Sequence, residues 1–138
     1  MLLDKGADCN ICNNNGESPL FKASLYEKTE IVKMLLDKGS DCNKSDKDGW
    51  SPVMTACLYG HTEVVKLLLV KGADCNKCNN KGESPVMKAC ECGHTDIVKM
   101  LLDKGVDYNK CDEFGQSPAI MADKKDRTEI IKLLTDIK

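Results

Sequence analysis

The sequence predicts an α-rich repeat solenoid, in which short antiparallel helix pairs stack through one continuous core. Three observations carry that prediction. Gly6, Gly39, Gly72 and Gly105 are spaced by 33 residues, as are Gly16, Gly49, Gly82 and Gly115. Ser-Pro pairs begin at Ser18, Ser51, Ser84 and Ser117 with the same period. Residues 35–67 and 68–100 agree at 20 of 33 positions, more than shared composition produces, so the units are copies of one another.

The first element is a remnant. Met1-Leu2-Leu3-Asp4-Lys5-Gly6 aligns with Met34-Leu35-Leu36-Asp37-Lys38-Gly39, so residues 1–12 are expected to be the end of a repeat belonging to a longer array. Leu2 and Leu3 would then leave an apolar end open to weak end-to-end self-association. Complete units follow at approximately 13–45, 46–78 and 79–111, and residues 112–138 close the single domain of 1–138. That last unit has Asp123, Lys124, Lys125, Asp126 and Arg127 where earlier copies are smaller or apolar, as a polar terminal cap requires.

Inside each unit the local signals give two helices and a loop. Ser51 is a good N-cap, and Pro52 suits the first helical position because its missing N–H has no intrahelical partner there. A short helix runs from about Pro52 to Tyr59, and Gly60 and His61 break it. Thr62 is placed to cap a second helix carrying Val64, Val65, Leu67, Leu68 and Leu69, with Glu63 against its positive end. Gly72 ends that helix as a left-handed residue, with Lys71 beside the negative end. Residues 74–84 contain Asn79, Asn80 and Gly82, turn formers suited to an extended, hairpin-like loop.

With its 33-residue period, the chain resembles ankyrin repeats. The Thr-Pro-Leu-His-x-Ala signature reads Ser-Pro-Leu-Phe-Lys-Ala at Ser18, Ser-Pro-Val-Met-Thr-Ala at Ser51, Ser-Pro-Val-Met-Lys-Ala at Ser84 and Ser-Pro-Ala-Ile-Met-Ala at Ser117. Residues 60–76 are similar to the rest of the family pattern along their whole length. The resemblance implies a β-hairpin loop plus an antiparallel helix pair per repeat. It also implies that His61 and His94 start the second helices and hydrogen-bond neighbouring loop backbone. Two departures stand out. Phe21, Met54, Met87 and Ile120 replace the signature His, trading a polar bond for apolar packing. Cys9, Cys42, Cys75 and Tyr108 replace the usual Val before Asn.

Composition narrows the function classes. A 138-residue chain that is 41% hydrophobic and 30% charged, with a formal charge of -2, has room for one core and no basic excess for nucleic acid. No apolar run reaches the length that spans a bilayer, and no signal peptide precedes the first repeat, so an intracellular, cytoplasmic protein without membrane insertion is expected. The nine cysteines are read as thiols. Cys9-x-x-Cys12 and Cys75-x-x-Cys78 have zinc-like spacing, but two repeats separate them by roughly 20 Å, too far to share one ion. Cys57 and Cys90 are expected inside the first helices, Cys9, Cys42 and Cys75 under the loops, and Cys92, Cys12, Cys78 and Cys111 toward solvent. No nucleophile is set beside a base and an orienting acid, and no Gly-rich phosphate loop occurs, so neither enzyme, cofactor nor metal is expected.

Positions that repeat serve the fold, and positions that change between copies are free to serve a partner. The changing set includes Tyr26, Lys47, Asp48, Trp50, Leu58, Tyr59, Lys81, Glu83, Glu91, Cys92 and Phe114, at loop tips or on the open side of the first helices. In ankyrin relatives those positions line a concave groove. Four of the six aromatic residues fall in this set, while Phe21 and Tyr108 are expected in the core. Tyr26, Leu58 and Tyr59 are expected to meet across adjacent layers, with Trp50 projecting beside them as a binding anchor. The expected function is a non-catalytic scaffold that binds a protein or peptide on its concave face. A structural spacer in a long array and a cysteine-based metal or redox sensor are the alternatives.

Overall fold

The computed structural model describes residues 10–136. Four antiparallel helix pairs run through them: α1 (Pro19–Leu25) with α2 (Thr29–Asp37), α3 (Pro52–Tyr59) with α4 (Thr62–Val70), α5 (Pro85–Cys92) with α6 (Thr95–Asp103), and α7 (Pro118–Lys124) with α8 (Thr128–Thr135). First helices touch first helices in the order α1, α3, α5, α7, and second helices touch second helices in the order α2, α4, α6, α8. The architecture is the expected solenoid of two helical layers. Leu2 and Leu3 lie outside the described residues.

Each first helix starts as its sequence dictates. The Oγ of Ser18, Ser51, Ser84 and Ser117 accepts the N–H of Phe21, Met54, Met87 and Ile120 at 3.1 to 3.3 Å, and proline occupies the first turn. Each such cap is worth about 1 kcal/mol. The second helices start differently from expectation. His61, not Thr62, is the N-cap of α4; it makes no side-chain cap bond, and the Thr62 hydroxyl instead donates to Gly60 O at 3.5 Å. The ring of His61 is committed elsewhere, across the repeat boundary.

Gly72 closes α4 in a left-handed turn, φ +91°, with its N–H donating to Leu69 O and the Ala73 N–H donating to Leu68 O. A Cβ at Gly72 would meet nothing within 4 Å. Gly72→Ala is therefore expected to lose only the backbone preference, about 1 kcal/mol. Unchanged thermal unfolding would remove this cap from the account of stability.

The core is a column of Leu20, Val53 and Val86 from the first helices against Leu35, Leu68 and Leu101 from the second, all fully buried. Phe21 is buried as expected, and Tyr108 packs half-buried on the core edge. Among the described residues Cys57, Cys75 and Cys90 are buried and Cys111 is exposed, while Cys42, expected under a loop, and Cys12, Cys78 and Cys92, expected toward solvent, are all half-buried; Cys9 lies outside the described residues. The ends differ from the middle. Ile31 is 41% exposed although Val64, Ile97 and Ile130 at the same register are fully buried, and Ile120 is 44% exposed where Met54 and Met87 are buried. The apolar packing expected at Ile120 is thus not realised, because α7 is the last of the stacked first helices.

The loops are hairpin-like but carry no strand among the described residues. In each, one backbone pair closes the turn, as where Asn79 N–H donates to Glu83 O at 2.9 Å and Gly82 N–H to Asn79 O at 3.0 Å. Neighbouring loop tips are joined by backbone bonds from Lys47 N–H to Asn15 O, Asn80 N–H to Asp48 O and Glu113 N–H to Lys81 O, and Asn80 Nδ2 adds a bond to Lys47 O. At the opposite end of each repeat an asparagine side chain does the joining. Asn10, Asn43 and Asn76 accept the N–H of Asp41, Asp74 and Asp107 at 2.7 to 2.9 Å.

Candidate functional site

A third set of ties fixes the start of each second helix against the end of the first helix in the preceding repeat. The Nε2 of His61 lies 3.1 Å from Leu25 O, and that of His94 lies 3.0 Å from Leu58 O. Both acceptors are carbonyls at first-helix C-termini, which have no intrahelical donor. The histidines therefore bond helix ends rather than loop backbone, and each closes the preceding repeat. Arg127 takes the same post in the last repeat, donating from Nε and the guanidinium to Glu91 O at 3.3 and 3.2 Å. It was expected to be a solvated cap residue; its neighbours Asp123, Lys124, Lys125 and Asp126 are the exposed ones.

These ties place the open side of α1, α3 and α5 as one surface. Trp50, Leu58 and Tyr59 come together with Leu25 around a groove of about 220 Å³, and Leu25 and Tyr59 continue it into a second recess with Tyr26 and His61. Tyr26 is 60% and Tyr59 55% exposed. Tyr59 stacks on the His61 ring with centroids 6.0 Å apart, and Lys22 Nζ sits 5.5 Å from the Tyr26 ring centroid. Tyr59 is common to both recesses, with Trp50 and Leu58 in the first and Tyr26 in the second.

Trp50 differs from expectation. It is half-buried rather than projecting, because Lys88 of the next repeat brings its ammonium 5.5 Å from the ring centroid. Lys88 lies at the site and was not among the positions the sequence singled out. It is buried, with Nζ 2.9 Å from Glu83 Oε2 and 3.2 Å from Glu91 Oε1. Glu83 and Glu91, expected to face a partner, are half-buried and turned to this lysine. The signal was present in the copies: position 88 corresponds to Lys22, Thr55 and Met121, so it too varies along the open face.

Charge and burial tune this cluster. Burial pushes the Glu83 carboxyl up, but hydrogen bonds from Asn79 and Lys88 outweigh it and hold the pKa below the usual glutamate range. Burial likewise pulls Lys88 down, and its two glutamates outweigh that and raise it. A lowered carboxyl contributes stability above its unfolded pKa and loses it as pH falls through the folded one. Stability should therefore drop on the acid side of the glutamate range, and Lys88→Met should flatten that limb in urea melts across pH. An identical acid limb in both proteins would detach the cluster from stability.

The remaining expected positions are dispersed. Lys47 and Asp48 are exposed at the second loop tip, Lys81 at the third, and Phe114 stands 72% exposed at the fourth. Cys92 is half-buried, and burial raises its thiol pKa. Burial also pushes the Cys90 thiol up to about 12 and the Cys57 thiol higher, so both stay protonated at neutral pH. Among the described residues no three His, Cys, Asp or Glu side chains are grouped to hold a metal ion. On the outer face Lys66 Nζ and Glu63 Oε1 are 4.0 Å apart and solvated, a pair worth a few tenths of a kcal/mol at most.

No helix among the described residues is long and apolar enough to cross a membrane. No curated protein matches the chain. The family model for ankyrin repeats, built of three copies, matches residues 1–79 and again 65–138. Those two spans cover the whole sequence, and the helix pairs, Ser-Pro caps and looped stack are what that match requires; the chain belongs to the ankyrin-repeat family.

Proposed function

We propose that this protein is a non-catalytic module that binds a protein or peptide partner along the groove between its first helices and loop tips. Ankyrin repeats are in general protein-interaction modules, and the reading for this chain rests on one observation: Tyr26, Trp50, Leu58 and Tyr59 gather on one open face. Aromatic side chains at the centre of a patch are where interface energy concentrates. The stack holds them in place before a partner arrives, so little ordering entropy remains to be lost. The eight described cysteines are free thiols, which suits a reducing cytoplasm and disfavours the sensor alternative where burial holds them protonated.

Trp50→Ala and Tyr59→Ala are each expected to weaken partner binding by about 2 kcal/mol, roughly thirtyfold in Kd. Lys66→Ala, on the outer face, should leave it unchanged. Trp50→Ala also removes the Lys88 stacking, so calorimetric titrations belong below the melting range of each variant. Wild-type affinity in both aromatic variants, with Lys66→Ala weakened, would put the site on the other side of the solenoid. Loss of all partner binding from a full array, with the groove never occupied, would favour the spacer.

A further inference from the structure

The middle repeat breaks a charge pattern that its neighbours keep. In the first and third repeats a loop glutamate pairs with a lysine five residues later, Glu17 with Lys22 at 3.3 Å and Glu83 with Lys88 at 2.9 Å. The corresponding residues of the second repeat are Trp50 and Thr55. The cation is gone, but Asp46 and Asp48 remain around the place it would fill, beside Glu17, which Lys22 already pairs; no lysine or arginine lines the groove itself. Asp46 Oδ1 is occupied by the N–H groups of Asp48 and Trp50, whereas Asp48 has no ion-pair partner among the described residues.

Thr55 supplies a second observation. It is 2% exposed and lines the groove, yet its hydroxyl has no hydrogen-bond partner among the described residues. Unlike the enclosed, unpartnered hydroxyls of Ser24, Ser40 and Ser45, it is not sealed off from the groove, so a group entering there can meet it. The aromatic wall is also suited to a cation, since the Trp50 ring already carries one ammonium, from Lys88.

We propose that this groove receives a lysine or arginine side chain of a partner peptide, its charged end at Asp48 and Asp46 and its apolar stem along Trp50 and Tyr59. This rests on the binding face proposed above and adds the chemistry of what it takes. Opposite charges across a contact favour the encounter and fix its register, while the aromatic wall supplies the contact area.

The test is selection of a random linear peptide library on the full chain, followed by affinity measurement of the selected peptides. Selected sequences should share one lysine or arginine next to apolar residues, and replacing it with norleucine should weaken binding about tenfold or more. Asp48→Asn should weaken the same peptides to a similar degree. Thr55→Lys should also do so by filling the groove with the protein's own cation, as Lys22 and Lys88 do in their repeats. Glu63→Gln, on the outer face, should change nothing. Peptides that need Trp50 but tolerate norleucine and Asp48→Asn would overturn this inference and leave the binding face standing. Peptides indifferent to Trp50, Tyr59 and Asp48 alike would overturn both.

Discussion

Ile97→Ala is expected to destabilise the protein by about 3 to 4 kcal/mol, whereas Ile31→Ala, the same exchange at the same place in another repeat, should cost about 1 kcal/mol. The residues differ in what covers them. Ile97 is fully buried between layers, so truncation leaves a cavity with packed walls, and the surroundings recover little of the lost contact. Ile31 is 41% exposed, so water already reaches part of what alanine would vacate. Denaturant melts of the two variants decide the matter. Equal losses would mean that burial between repeats is not what stabilises the stack.

Gly49→Ala should be as damaging for a different reason, with a loss of about 3 kcal/mol. Its φ is +87°, close to that of Gly72, so the local strain is alike. What differs is the neighbour. A Cβ at Gly49 would lie 2.7 Å from Asn80 Oδ1, 2.8 Å from Asn80 N and 2.9 Å from Asn79 Cα. Two of those atoms are backbone and cannot step aside, so the loop tips would separate. The bonds from Asn80 N–H to Asp48 O and from Asn80 Nδ2 to Lys47 O would go with them, each worth about 1 kcal/mol. Thermal melts of Gly49→Ala and Gly72→Ala measured side by side separate strain from collision; equal melting points would rule out the collision.

The elements were legible in the sequence because their signals are local. Ser51 and Pro52 start α3 where expected, and Gly72 stops the turn after α4 where expected, since capping depends on a few consecutive residues. The contacts between repeats were less legible. Thr62 has the chemistry of a cap, but the helix start is set by His61 reaching Leu25 O, a partner 36 residues away. Nothing local marks Lys88, and only the packed structure sets it among Trp50, Glu83 and Glu91. The same contact explains why Trp50 is half-buried. The differences between copies singled out residues that line two adjoining recesses, Leu58 and Tyr59 in one and Tyr26 and Tyr59 in the other.

The ties across repeat boundaries also govern how such a chain can grow. The donor of each helix-end bond and its acceptor come from successive units: His61 to Leu25, His94 to Leu58, Arg127 to Glu91. The bonds from Asp74 N–H to Asn43 Oδ1 and from Asp107 N–H to Asn76 Oδ1 obey the same rule. A gene duplication that copies one whole unit therefore delivers both halves of every joint at once, one for the unit before and one for the unit after. Duplication of part of a unit delivers one half without its mate and leaves a helix-end carbonyl or a loop amide without its partner. Lengthening by whole units is accordingly the inheritable step, and the 33-residue period read from the glycines is the record of it.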